Sequence, residues 1–143
     1  MGLLRLAQES PRVARETPVM EAVRAMIEAK IGAIAVTTGR RIVGIFTERD
    51  LMKRVVYAGR DPHATLVGDV MTSPVETVSD STSVSEASEI MRARHIRHLP
   101  VVDAKGEMVG MVGLRYLLYD LMNDLELKVD NLEGFIMADG IGG

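Results

Sequence analysis

Apolar residues recur at Val19, Ala22, Val23, Met26 and Ile27, the spacing that lays one face of a helix against a core. Thr17 is placed to cap this helix, Pro18 to occupy its first turn, where a missing N–H costs nothing, and Gly32 to end it. Two short apolar runs follow, Ala33–Val36 and Ile42–Phe46, separated by the polar stretch Thr37-Thr-Gly-Arg-Arg41; the pattern predicts a β-hairpin. Leu51, Met52, Val55 and Val56 predict a second amphipathic helix, closed by Ala58-Gly59. The plan then recurs. Val84, Ala87, Ile90 and Met91 mark a helix, Leu99–Val102 and Met108–Val112 two strands around the turn Asp103-Ala-Lys-Gly106, and Leu114, Leu117, Leu118, Leu121 and Met122 a last helix.

The recurrence is a duplication. A shift of 65 residues lays Thr17–Val36 on Thr82–Val101 with seven of twenty positions identical: Thr17/Thr82, Val19/Val84, Glu21/Glu86, Ala22/Ala87, Met26/Met91, Ile31/Ile96 and Val36/Val101. Chance supplies roughly one. One inserted residue near Gly106 moves the offset to 66, after which Val43-Gly44 falls on Val109-Gly110 and Leu51 on Leu117. The chain therefore divides into a first repeat over 4–57, a linker over 58–65, a second repeat over 66–122 and a helical tail over 123–143 with a frayed end. In the tail, Leu125, Val129, Leu132 and Ile136 follow at spacings of 4, 3 and 4, a stripe for a dimer contact or for its own repeat. A unit of roughly 60 residues buries little surface by itself, so the two copies are expected to pack sheet to sheet and leave a cleft on their pseudo-twofold axis.

Composition narrows the chemistry. With 17 basic and 20 acidic residues the net charge is −3, which gives no overall attraction to nucleic acid or acidic membranes. Cysteine is absent, which excludes disulfides, thiolate metal sites and cysteine nucleophiles. His63, His95 and His98 lack zinc-ligand spacing, and Gly140-Ile-Gly-Gly lacks the Lys-Ser/Thr of a phosphate-cradling loop. No stretch approaches the ~18 apolar residues of a membrane span, and the charged start does not read as a signal peptide, so a cytoplasmic protein is expected. No metal, catalytic residue or catalytic cofactor is expected.

The motifs Thr17-Pro-Val-x-Glu-Ala-Val, Ile34-Ala-Val and Gly44-Ile-Phe-Thr47-Glu-Arg-Asp50-Leu resemble a CBS domain, named after cystathionine β-synthase. Thr82-x-Val-x-Glu-Ala, His95-Ile-Arg-His-Leu-Pro-Val-Val102 and Val109-Gly-Met-Val resemble another, and Met71-Thr72-Ser73-Pro74 is similar to its lead-in. The resemblance implies an α+β fold: a tandem pair of CBS repeats, each helix-strand-strand-helix with a short lead-in strand, packed through their sheets as a Bateman module. It also implies an adenosyl ligand, AMP, ADP, ATP or a relative such as NAD(H) or S-adenosylmethionine, and a disc-like homodimer.

The family's nucleotide signature, Gly-h-h-Thr/Ser-x-x-Asp with h apolar, is met by Gly44–Asp50. Thr47 stands where a strand becomes a helix, whose free N–H groups attract phosphate, and Asp50 offers a carboxylate to both ribose hydroxyls. A capping box of Thr and Asp is the alternative, and the two are compatible. Family geometry sets Val75 and Ile96 opposite the Gly44 motif, which contributes Ile45, to sandwich the base, and Arg97 and His98 to supply positive charge toward phosphates; a solvated basic face is the alternative for the run Arg92, Arg94, His95, Arg97 and His98. In the second copy, Gly110-Met-Val-Gly113-Leu-Arg-Tyr116, Gly113 replaces the hydroxyl and Tyr116 the carboxylate. One ligand site per chain is expected, with Tyr116 in the core. The expected function is a non-enzymatic energy or metabolite sensor read by a partner enzyme or transporter; a ligand-independent dimeric scaffold is the alternative.

Overall fold

The computed structural model describes residues 3–125, so the stripe expected on the tail beyond Leu125 lies outside the described residues. The first unit runs β1 (Arg12–Ala14), α1 (Val19–Ala29), β2 (Ala33–Thr38), β3 (Arg41–Thr47) and α2 (Glu48–Asp50), which continues as a π-helix over Leu51–Val56. A short α3 (Val67–Val70) leads to the second unit: β4 (Val78–Ser79), α4 (Val84–Arg94), β5 (His98–Val102), β6 (Met108–Gly113) and a helix over 114–125. Each unit has one three-stranded sheet, β1-β2-β3 or β4-β5-β6, whose first pair is parallel and second antiparallel. The α+β tandem architecture is as expected.

Three apolar clusters hold the molecule. One lies within the first unit around Ile34, Phe46 and Val55, and one within the second around Leu99, Val112 and Leu117. The third joins them: Ala33, Ala35 and Ile45 pack on Met108 and Met111, so the sheets meet face to face. Burial at this seam is the favourable term that neither unit supplies alone.

The ends of the first helices differ from expectation in detail. Pro18, not Thr17, is the N-cap of α1, and no side chain caps it; the Thr17 carbonyl instead accepts the Val67 N–H at 2.8 Å. α1 ends on Lys30 in the left-handed conformation (φ 56°), before Gly32, and His95 closes α4 the same way (φ 56°). In both, the next N–H, of Ile31 or Ile96, reaches back to the carbonyl of Met26 or Met91 at 3.0 and 3.1 Å. That is a Schellman-type closure, and it turns the isoleucine onto its own core.

The lead-ins are exchanged. Leu3 is buried in the cluster of the second unit, and Gln8 exchanges backbone hydrogen bonds with Met111 of β6 at 2.8 and 3.0 Å. Reciprocally, Val67, Val70 and Met71 join the first cluster, and Thr72 pairs with Ile45 of β3 at 2.8 and 3.0 Å. The crossings explain Gly44 and Gly110. A Cβ on Gly44 would meet the Met71 side chain and the Thr72 carbonyl oxygen at 3.0 Å; one on Gly110 would meet Ala7 Cβ at 2.9 Å and the Gln8 carbonyl oxygen at 3.2 Å.

Candidate functional site

The β3–α2 junction is built around a buried carboxylate. Thr47 is extended (φ −118°, ψ 166°) and caps α2: its Oγ1 accepts the Asp50 N–H, and Asp50 Oδ2 accepts the Thr47 N–H, both at 3.1 Å. This is the reciprocal capping box. Asp50 is only 6% exposed, so its charge needs more than one partner. Thr72, from the crossing lead-in, sets its hydroxyl 2.9 and 3.0 Å from the two carboxylate oxygens. Arg54, one turn on, places Nε 3.7 Å from Oδ1 and donates from Nη1 to the Met71 carbonyl at 2.8 Å. The carboxylate thus ties the first unit's strand–helix junction to the segment that leads into the second.

Of the helix-start amides that a phosphate would use, two already have acceptors: Glu48 donates to the Gly32 carbonyl at 3.0 Å and Asp50 to Thr47. Directly after Asp50 the helix winds as a π-helix, a form that often marks functional positions, whereas its counterpart over 114–125 is α-helical in every described residue.

The other sequence-derived site residues are distributed as follows. Ile45 and Val75 pack together in the seam cluster. Ile96 belongs to the second unit's own core, turned there by the closure of α4, so it and Val75 lie in different clusters. Arg97 is exposed, and its carbonyl accepts the Leu114 N–H at 2.8 Å. His98 is half-buried at the start of β5; burial pushes its pKa below the usual imidazole value, Glu48 pulls it upward and Arg97 adds a smaller lowering. The shift disfavours the imidazolium, against the positive charge expected of this residue from sequence. Tyr116 is 44% exposed, not in the core, and an added Cβ on Gly113 would lie 3.8 Å from its ring.

A cavity of about 460 Å³ opens along the same seam, lined by Ile42, Val43, Val75, Thr77 and Val102 among others, with Arg15 at its edge. It sits toward the turn end of β3; Ile42 and Thr47 are five residues apart, about 16 Å along a strand. The seam is thus open at the end away from the capping box. Sequence reasoning missed Thr72 and Arg54. The i, i+4 spacing of Asp50 and Arg54 was a usable sign; nothing local pointed to Thr72, which arrives through the crossing. Among the described residues there is no group of three or more potential metal ligands, and no helix long and apolar enough to cross a membrane.

Comparison with known proteins places this geometry. The CBS domain family pattern matches residues 7–57 and again 67–123. The CBS domain-containing protein CBSX3, mitochondrial, of Arabidopsis thaliana is 32% identical over 125 residues, 84% of this chain and 60% of that protein. The uncharacterized protein MK0525 of Methanopyrus kandleri is 38% identical over 94 residues, 65% of this chain and 48% of that protein. The chain thus spans about half to three fifths of the length of these curated relatives. A protein with CBS domains from Burkholderia ambifaria superposes with a TM-score of 0.77 at 34% identity, covering 83% of this chain and 86% of the other. The CBS domain protein PAE2072 of Pyrobaculum aerophilum, complexed with AMP, gives 0.78 at 28% identity, covering 90% and 99%.

Proposed function

Because the chain belongs to the CBS domain family and carries two copies of the repeat, we propose that it is a non-catalytic regulatory module that binds an adenine nucleotide in the seam between them. The observation that carries this reading is the buried Asp50 carboxylate at the β3–α2 junction, beside the Thr47 hydroxyl and under a hydroxyl from the other unit's lead-in. Two hydroxyls of a ribose are the natural donors to such a carboxylate, and Ile45 and Val75 offer apolar surface to a base. The AMP complex of the Pyrobaculum aerophilum protein supports the same ligand class. The second unit has Gly113 and Tyr116 at the matching positions, so one site per chain follows.

Binding alone regulates nothing; the ligand must favour one state of the module over another. A self-associating face is the natural second state. Met52 and Val56 are 60% and 68% exposed, and their counterparts in the second repeat, Leu118 and Met122, are exposed at 47% and 52%. Matching apolar positions on two pseudo-symmetric helices suit a homodimer. The same face supports the second reading, a dimeric scaffold that needs no ligand. A partner enzyme or transporter reads the module's state in the first reading.

Isothermal titration with AMP, ADP and ATP tests the proposal. One site per chain is expected, lost in Asp50→Ala and kept in Tyr116→Ala. Absence of any adenylate binding, with the protein sedimenting as a dimer, would leave the scaffold reading in its place.

A further inference from the structure

Glu48 and Arg49, both exposed, are the two residues of the Thr47–Asp50 turn whose side chains the capping box does not use, and Glu48 carries the negative charge. Its N–H is held by the Gly32 carbonyl at 3.0 Å, and its carboxylate is folded over Gly32, so that a methyl added there would lie 3.2 Å from Cδ and Oε1. Gly32 belongs to the turn between α1 and β2 and precedes Ala33, which pairs with Thr47 and packs in the seam cluster with Met108 and Met111 of the other unit. The carboxylate therefore stands at the Thr47 end of the seam, beside the entry to β2.

A ligand whose ribose rests on Asp50 and whose first phosphate approaches Thr47 must lead any further tail past this group. Resting on the nucleotide reading above, we infer that Glu48 sets the charge of the ligand: the site takes adenosyl ligands with a short or weakly anionic tail, a monophosphate before a triphosphate. Arg49 in the same turn and Arg97 just before β5, both exposed, are the cations that would meet the charge of one phosphate. Each additional phosphate brings further negative charge toward this carboxylate. At separations of a few ångströms in partly screened surroundings, like charges weaken binding several-fold.

The test compares AMP and ATP titrations of wild type and Glu48→Gln, which keeps the shape and the backbone tether of an exposed residue and removes only its charge. Wild type is expected to bind AMP more tightly than ATP. In Glu48→Gln the affinity for ATP is expected to rise about fivefold or more, AMP to stay within about twofold, and the difference between variants to shrink in high salt. An unchanged ATP-to-AMP ratio, or a parallel shift of both ligands, would overturn the inference while leaving nucleotide binding intact. Failure of wild type to bind either ligand overturns the nucleotide reading and this inference with it.

Discussion

The Thr72 hydroxyl lies 2.9 and 3.0 Å from the two carboxylate oxygens of Asp50, joining residues 22 positions apart that belong to different repeats. The contact depends on the exchange of lead-ins: Thr72 reaches Asp50 because its backbone is already paired with Ile45 of β3. The carboxylate is thereby both a ligand candidate and a structural tie between the halves.

Removing this donor has a cost in stability. Thr72→Val keeps the shape of the side chain but leaves the buried carboxylate with one donor fewer, so a loss of about 1–3 kcal/mol is expected from urea unfolding. A variant as stable as wild type would show that the hydroxyl is not a structural partner of Asp50.

The two crossing glycines carry a paired prediction. Gly44→Ala sets a methyl against the Met71 side chain and the Thr72 carbonyl, and Gly110→Ala sets one against Ala7 and the Gln8 carbonyl. Backbone on one side of each contact cannot give way cheaply, so each change is expected to destabilise by about 1–3 kcal/mol, read as a fall in Tm. Neutral behaviour of both would mean that the lead-ins do not pass against these glycines.

His98 gives a pH prediction whose sign follows from burial. Its folded pKa is lowered chiefly by loss of water, against the opposing pull of Glu48. As pH falls through about 6.5 the unfolded chain takes up the proton first. The stability present above that value is lost progressively below it, until the folded imidazole also protonates. Unfolding free energies of wild type from urea titrations should therefore fall from pH 7.5 to 5.5 more steeply than those of His98→Gln, by at most about 1.4 kcal/mol per pH unit. Equal slopes would place His98 in water.

Much of the fold was legible in the chain. The 3.6-residue spacing from Val19 to Ile27, the paired apolar runs and the 65-residue duplication are local or self-referential signals, and they determined the elements, the tandem plan and the resemblance that the family match bears out. The Thr47–Asp50 turn was readable for the same reason: a capping box is written within four residues. What the tertiary structure alone decided is which unit each segment serves. Leu3 is buried in the second repeat and Met71 in the first, because a lone repeat cannot cover its sheet and each lead-in finds the partner's instead. That exchange brings Thr72 to Asp50 and requires Gly44 and Gly110. Periodicity reports which face of an element is buried; it carries no record of the neighbour that buries it.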